Sequence, residues 1–529
     1  MNYSKMQQEK LIIYDSTLRE GAQGVGTFFT VEDKIRIMHM LDDFGVDYIE
    51  GGNPGSNPKD TEFYRRAREE KLKHAKLTAF GSTCRLGVKP ADDANVQALL
   101  AAGTPAVAVF GKVWDFHVTE VLRASLEDNL QIIGDTISYL KNQGKEVIFD
   151  AEHFFDGYKN NPEYAMFVLR AANEAGADWL CLCDTNGGCF PHEVAEICQV
   201  ATKAFVFKVG IHCHNDTGMA AANSLVGVQS GCRQVQMTIN GWGERCGNAN
   251  LCVLIPDLQL KLGYACVPPE NMPSITKFAL KASEIANLPQ DPSTPFVGRN
   301  AFAHKAGMHI DAVLKNPASF EHIEPELVGA EREVMVSEVA GRMAILGQLQ
   351  AIDPSLVKDS PHVQAVLDKL KELEYEGYQF EGAQASFDLV IRRQLGCYKP
   401  FFRLKNFKVI SDSADMGETS ASAVIKVEVG GEEEITTASG KGPVDALDSA
   451  LRKALERFYP QLKEVHLSDY KVRVLDSFDA TASKVRVLIE STDGKKTWQT
   501  VGVSADIIEA SWEALVDSLE YKLLKEDII

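Results

Sequence analysis

The chain has no CxxC pair, no apolar run long enough to cross a bilayer, and fewer basic than acidic side chains. Its eleven cysteines are odd in number and scattered, which excludes a disulfide framework, a zinc knuckle and a dithiol redox motif. They read as reduced thiols, and Cys181 and Cys183, a CxC inside an apolar run, are expected to pack in a core. The most apolar stretch, Val96 to Gly111, is broken by Gly103, Thr104 and Pro105 and is too short for a membrane span. Met1 to Lys10 is polar and lacks the apolar core of a signal peptide, so a cytoplasmic protein with no membrane partner is expected. The 55 basic and 74 acidic residues give a formal charge of −19. That balance is a poor match to nucleic-acid binding, which draws on clustered Lys and Arg, and leaves room only for a local basic pocket.

What is present is length and rhythm. The 529 residues, 45% of them apolar, exceed one ordinary domain and suggest roughly three units, each able to bury a core. Short strand-like runs alternate with amphipathic helices: Leu11–Tyr14, Val46–Glu50, Leu77–Phe80, Ala106–Phe110, Glu146–Phe149, Trp179–Cys183, Val206–His212 and Val235–Ile239. The first helix opens at Thr30, where Thr30 and Asp33 have capping-box spacing. A second helix is expected over Asp60–Leu72 and a last one over Ala249–Leu262. Eight such units in about 260 residues is the size of a (β/α)₈ TIM barrel, with an open doubly wound sheet as the alternative. The expected organisation is a catalytic α/β barrel over 1–270, a helical connector completing the active site over 271–383, and a C-terminal α+β regulatory domain over 384–529. Prolines 268 to 295 mark the passage into the connector, whose helical part is placed at Phe296 to Glu381. From Gln384, strands near Phe387–Gln394, Ala423–Val429 and Glu434–Ser439 precede a helix at Val444–Phe458. Strands near Tyr470–Val474, Lys484–Glu490 and Thr497–Val503 precede another at Ile507–Leu524. This reads as one βββα unit used twice.

In such a barrel the reacting groups project from the C-terminal ends of the strands. There the chain carries Asp15 to Gln23, Glu152-His153, Asp184-Thr185-Asn186, His212 to Asp216 and Gly241 to Asn248. His212 and His214 are two apart on a strand, so both imidazoles face one side while Cys213 faces the helix layer. With a neighbouring carboxylate they make a three-ligand face that leaves positions open for a chelating substrate. Arg19 and Glu20 are either a surface ion pair or, at the barrel mouth, an oxyanion-stabilising cation beside a metal ligand. The glycines of Gly241–Gly247 lack GxGxxG spacing and are no dinucleotide fingerprint.

The runs Asp15-Ser-Thr-Leu-Arg-Glu-Gly-Ala-Gln23, His212-Cys-His-Asn-Asp216, Gly241-Trp-Gly-Glu-Arg-Cys-Gly-Asn248 and His304-Lys-Ala-Gly-Met-His309 together resemble the 2-isopropylmalate, homocitrate and citramalate synthases. These belong to the metal-dependent TIM-barrel lyase and synthase superfamily. Ala151 to Gly157 and Trp498 to Val503 are most similar to the citramalate branch. The resemblance implies that Glu20, His212 and His214 hold a divalent ion, Mg²⁺ or Mn²⁺ before Zn²⁺ or Co²⁺, with Asn248 at or near its outer shell. It implies Arg19 as oxyanion stabiliser, Gln23 and Thr185 as substrate contacts, and His309 with Glu152 as the base system acting on the acetyl methyl. Many relatives carry Asp at the position of Glu20 and Glu at that of Ala22; Glu as ligand is familiar from homocitrate synthases.

The resemblance thus implies condensation of acetyl-CoA with pyruvate and hydrolysis of the thioester, in isoleucine biosynthesis, by a homodimer with isoleucine as effector. Phe80 and Phe110, at two strand ends, are either barrel core or a narrowing of the acyl pocket. The alternatives are another 2-oxo acid, a lyase or aldolase of the same fold, a metal-binding scaffold without activity, and a C-terminal module that dimerises without a ligand.

Overall fold

The computed structural model describes residues 9–527 apart from 305–306, 335–345, 347–348, 351, 353–355, 358–359, 381, 414–418, 476–482 and 495. Residues 1–8 of the polar N-terminal segment, Lys305 and Ala306 of the HKAGMH motif, and the Glu381 boundary lie outside the described residues. The chain divides into two compact units, Met1–Phe302 with Ile323–Arg332, and Ala303–His322 with Glu333–Ile529. No described helix is long and apolar enough to cross a membrane.

The first unit is a closed barrel of eight parallel strands in sequence order. They are β1 (Ile12–Asp15), β2 (Tyr48–Glu50), β3 (Lys76–Ser82), β4 (Ala106–Lys112), β5 (Glu146–Glu152), β6 (Trp179–Asp184), β7 (Val209–Cys213) and β8 (Gln234–Met237). Closure is carried by β1, which pairs Tyr14 with Tyr48 on one side and Ile12 with Gln234 on the other. Alternation of side chains sorts each strand between two cores. Val107, Val109, Val147, Phe149, Leu180 and Leu182 pack outward beneath the helices. Tyr14, Tyr48, Ala106, Ala108, Ile148, Cys181 and Cys183 fill the interior, so the CxC cysteines are core residues as expected.

The helix Val31–Phe44 opens on the expected capping box: Asp33 N–H donates to Thr30 Oγ1 at 3.1 Å, and Thr30 N–H donates to Asp33 at 2.9 Å. It ends on Gly45 with φ 96°, where a Cβ would lie 2.5 Å from the Pro268 ring, so only glycine fits. Several boundaries differ from expectation, three of them with a clear local cause. β7 starts at Val209, because Phe207 turns left-handed (φ 61°) and leaves Val206 and Phe207 in solvent. The second helix runs Pro58–Ala67, set by the Asn57 cap and Pro58. The last barrel helix is Leu251–Pro256, capped by Asn250 and continued as a wider π-type turn over Asp257–Lys261.

In the second unit, a two-residue parallel pair joins β9 (Ala303–His304) and β10 (Glu333–Val334). Helices Gly307–Lys315 and Pro361–Glu376 follow the helical expectation. The strand expected at Phe387–Gln394 is instead the helix Gln384–Gln394. Phe387 and Ile391, one turn apart, pack into one core and Ala385 into another. A helix covered on two sides spreads its apolar residues and imitates strand alternation. The βββα repeat is present twice. β11 (Arg403–Ser413), β12 (Thr419–Val429) and β13 (Glu432–Gly440) form one antiparallel sheet before the helix Pro443–Leu455. β14 (His466–Val474), β15 (Val485–Thr492) and β16 (Thr497–Ser504) form another before the helix Ile507–Asp527.

Candidate active site

The site grows from the turn after β1. Buried Asp15 accepts hydrogen bonds from Thr17 N–H at 2.9 Å and Thr17 Oγ1 at 2.8 Å, while Thr17 Oγ1 accepts from Ile239 N–H, just past the neighbouring strand β8, at 2.8 Å. The locked turn delivers Arg19 and Glu20 to the barrel mouth. Arg19 Nη1 lies 2.9 Å from Glu20 Oε1, its Nε donates to Glu50 Oε2 at 2.6 Å, and its Cζ sits 3.8 Å from the Phe80 ring centroid. Burial alone would weaken the guanidinium as a base, but Glu20 and Glu50 hold it firmly protonated. Tyr14 donates to the other oxygen of Glu50 at 2.6 Å, so Glu50 is fully committed.

Glu20 is buried, which favours its neutral form, yet Arg19, His214 and His212 overcome burial and keep it ionised. Its Oε1 lies 3.4 Å from His214 Nε2 and 3.7 Å from His212 Nε2. His212 is depressed to about 3 by burial and by His214, and is therefore a neutral imidazole, the form that ligates metals. A chain across the barrel sets its tautomer. Gln236 Nε2 donates to Asp150 Oδ1 at 2.9 Å, which turns Gln236 Oε1 toward His212 Nδ1 at 3.0 Å. With Nδ1 carrying the proton, the Nε2 lone pair faces Glu20.

The donor atoms of Glu20, His212 and His214 all lie within 4.8 Å of one another. Beside them His214 Nδ1 and both amide atoms of Asn248 are buried without a hydrogen-bond partner among the described residues. A bare buried polar atom is costly. Two imidazole nitrogens, one carboxylate and an adjacent unpaired amide therefore fit a divalent cation.

A cavity of about 240 Å³ opens onto this cluster, lined by Arg19, Glu20, Gln23, Glu152, Thr185, His212 and His214, with Phe80, Phe110, Asp150, Cys183 and Glu244. Seven of the nine expected site residues thus line one cavity. Asn248 joins from the β8 loop, bridging to His214 through the backbone. His309 belongs to the second unit, where it is exposed and its ring stacks on Phe320 at 4.1 Å. Glu152, the last residue of β5, is ion-paired with Lys112 at the end of β4. Thr185 Oγ1 accepts from His153 N–H at 2.9 Å, which leaves its own O–H free to donate. Phe80 and Phe110 stack with centroids 5.4 Å apart and both line the cavity, Phe80 packing against the interior cluster as well.

Glu50, Lys112, Asp150 and Gln236 are absent from the residues that motif reading selects. Strand parity contains a signal for one of them, since Asp150 lies two residues before Glu152 and faces the same way. Glu50 ends its strand as Glu152 does. Gln236 is polar inside a buried strand.

The HMGL-like family model matches residues 10–278, the homocitrate synthase post-HMGL domain-like model residues 296–377, and the LeuA allosteric (dimerisation) domain model residues 381–523. A protein of Aquifex aeolicus named (R)-citramalate synthase is 53% identical over 98% of this chain and 99% of its own length. One of Geobacter sulfurreducens with the same name is 50% identical over 98% of both chains. A probable 2-isopropylmalate synthase of Methanopyrus kandleri is 31% identical, over 96% of this chain and 97% of its own.

Proposed function

Because the chain belongs to the (R)-citramalate synthase family, built on an HMGL-like barrel, we propose that its barrel mouth condenses acetyl-CoA with pyruvate and releases (R)-citramalate and CoA. The observation that carries this reading is the clustering of Arg19, Glu20, Glu152, Thr185, His212 and His214 around one small cavity, beside which His214 Nδ1 and the Asn248 amide are buried without a hydrogen-bond partner among the described residues. The 31% identity to a probable 2-isopropylmalate synthase makes a larger 2-oxo acid the rival substrate.

Glu20, His212 and His214 would hold the divalent ion, with Asn248 beside them, and the ion when bound supplies Lewis-acid polarisation of a 2-oxo group. Mg²⁺ or Mn²⁺ is the proposed ion, with Zn²⁺ or Co²⁺ as alternatives. The protein's own groups do the rest. Arg19, held on two sides by carboxylates, presents a fixed positive charge to the ketone oxygen as it gains negative charge. Thr185 donates its hydroxyl proton to the substrate carboxylate, and Gln23 lines the same wall. Glu152 takes a proton from the acetyl methyl, and the resulting enolate attacks the ketone carbon. Water then cleaves the thioester, which makes the sequence effectively irreversible. The part of His309 in this base system rests on its motif alone.

The cavity wall predicts selectivity. Stacked Phe80 and Phe110 line the cavity and are proposed to limit the acyl side of the 2-oxo acid to a methyl group. A thiol-release assay across pyruvate, 2-oxobutyrate, 2-oxoisovalerate and 2-oxoglutarate should give pyruvate the highest kcat/KM. Some 2-oxobutyrate turnover is expected, because an apolar pocket discriminates by only about 1–3 kcal/mol per methylene. Phe110→Ala should narrow the gap between pyruvate and 2-oxoisovalerate by about tenfold or more. A wild-type preference for 2-oxoisovalerate would remove the pyruvate assignment.

The division into 1–270, 271–383 and 384–529 is proposed on the ranges of the three family models. The protein is proposed to work in the cytoplasm as a homodimer, with isoleucine binding to the repeated module as end-product effector, in support of which stands the match to the LeuA allosteric (dimerisation) domain. Isoleucine should inhibit the full-length enzyme, and a chain ending near Glu381 should lose that sensitivity. Calorimetry on the full-length protein with isoleucine, leucine and valine checks this; no binding and no inhibition by any of the three would leave the module purely structural. Linkage of this kind typically amounts to about 1–3 kcal/mol.

A further inference from the structure

Among the described residues seven non-glycine positions have positive φ, and two of them converge on one residue, Thr185. His153, with φ 56°, follows β5 and turns its N–H onto Thr185 Oγ1 at 2.9 Å. Arg245, with φ 55°, stands in the loop after β8, and its Nη2 donates to the Thr185 carbonyl at 2.7 Å. The same guanidinium grips Asp216 of the β7 loop with both arms, Nε to Oδ1 at 2.8 Å and Nη2 to Oδ2 at 3.0 Å. Left-handed backbone is unfavourable for His and Arg and free for glycine, and Arg245 lies between Gly243 and Gly247. A side chain retained at such a place points to work done by that side chain.

The surrounding loops are shaped to allow the grip. Gly187 has φ 61°, and a Cβ there would lie 2.6 Å from Asp216 Oδ2 and 2.8 Å from its backbone nitrogen. The glycine lets the β6 and β7 loops touch, and Thr217 seals them by donating N–H and Oγ1 to the Gly187 carbonyl at 3.1 and 2.8 Å. On the other flank, Asp156 bonds both His153 Nδ1 at 3.1 Å and Asn186 Nδ2 at 3.0 Å. Thr185 is therefore held at its oxygen by the β5 loop and at its backbone by the β8 loop. Because His153 N–H occupies a lone pair of Oγ1, the hydroxyl proton is left for an acceptor in the cavity that Thr185 lines.

We propose that Arg245, clasped by Asp216, is a positioning residue that together with His153 fixes the Thr185 hydroxyl as donor to the carboxylate of the 2-oxo acid. The inference rests on the reading of Thr185 as a contact for that substrate. It assigns to Arg245, which belongs to the Gly241–Asn248 run but not to the expected site residues, control over the affinity for one of the two substrates. Arg245 touches the backbone of Thr185 and does not line the cavity itself, so its effect belongs on substrate placement.

Steady-state kinetics on the full-length, metal-supplied enzyme test the proposal with R245A, R245K, T185V and the double variant R245A/T185V. R245A should raise the KM for pyruvate by about tenfold or more, with kcat within about threefold and the KM for acetyl-CoA within about twofold of the parent. R245K, which keeps the charge but not the forked geometry, should fall between parent and R245A. T185V should raise the same KM, and R245A should add little on top of it, since both act through one hydroxyl. If T185V weakens pyruvate but R245A leaves it unchanged, or weakens acetyl-CoA equally, or multiplies the T185V effect, the brace is refuted while Thr185 keeps its role. If T185V leaves the pyruvate KM unchanged, the reading of Thr185 falls and the brace with it. Should R245A fail to fold, R245K decides the matter, an unchanged pyruvate KM counting against the proposal.

Discussion

Replacing His212 or His214 by alanine should strip the bound divalent ion and lower condensation by about three orders of magnitude or more. The size follows from the several kcal/mol of charge stabilisation that a Lewis-acidic ion supplies, at 1.4 kcal/mol per tenfold in rate. The protein should remain folded, because both side chains sit at the open end of the barrel and the interior cluster of Tyr14, Tyr48, Ala106, Ala108 and Ile148 is untouched. Removing one imidazole still leaves Glu20 facing Arg19 and the remaining histidine. Metal content by mass spectrometry, thiol release and circular dichroism on the same preparation check the three parts. Chelator treatment of the parent protein should abolish turnover, and Mg²⁺ or Mn²⁺ should restore it. Full activity in a demonstrably metal-free sample would contradict the assignment.

The second large effect is expected at Arg19. Among the described residues its guanidinium is the one cation in direct contact with both Glu20 and Glu50, and Asp150 lies in the same field. Arg19→Ala should cost about 10²–10³-fold in kcat, the usual loss when one preorganised donor to a developing oxyanion is removed. It should also destabilise the barrel by about 3–5 kcal/mol, because a broken buried pair leaves uncompensated carboxylates behind. The two losses separate with Arg19→Lys. That variant keeps a charge between the glutamates and should recover most of the stability, yet it cannot reproduce the forked contacts and should stay catalytically poor. Thermal melts and kcat measured side by side provide the check; an Arg19→Lys enzyme with parental kcat would show that a point charge suffices.

How far the sequence discloses this molecule depends on distance along the chain. The barrel is legible because strand and helix periods alternate and each segment announces itself locally, down to the Thr30–Asp33 capping box. His212 and His214 are legible because their spacing alone puts them on one side of a strand. Glu50, Asp150 and Gln236 are not, because their partners come from other strands. Glu50 meets Arg19 across 31 residues, and Gln236 meets Asp150 across 86. Only closure of the barrel brings the chain Asp150–Gln236–His212 together, and that chain decides which imidazole nitrogen faces Glu20. The helix Gln384–Gln394 misleads for a related reason. Its Phe387, Leu389 and Ile391 alternate like a strand, and a single sequence holds no sign that the segment is packed on two sides. The βββα repeats are legible because β12, β13, β15 and β16 each carry turn signals close by, whereas β11 is polar enough to pass for a loop.

The account stands or falls on the product. Purified protein supplied with ¹³C-labelled pyruvate, acetyl-CoA and a divalent ion should release citramalate and free CoA in equal amounts. All of the label should lie in citramalate, with the R configuration by chiral chromatography, and none should form with chelator present. Absence of labelled citramalate in the presence of the ion, or CoA release without carbon–carbon bond formation, would contradict the central claim.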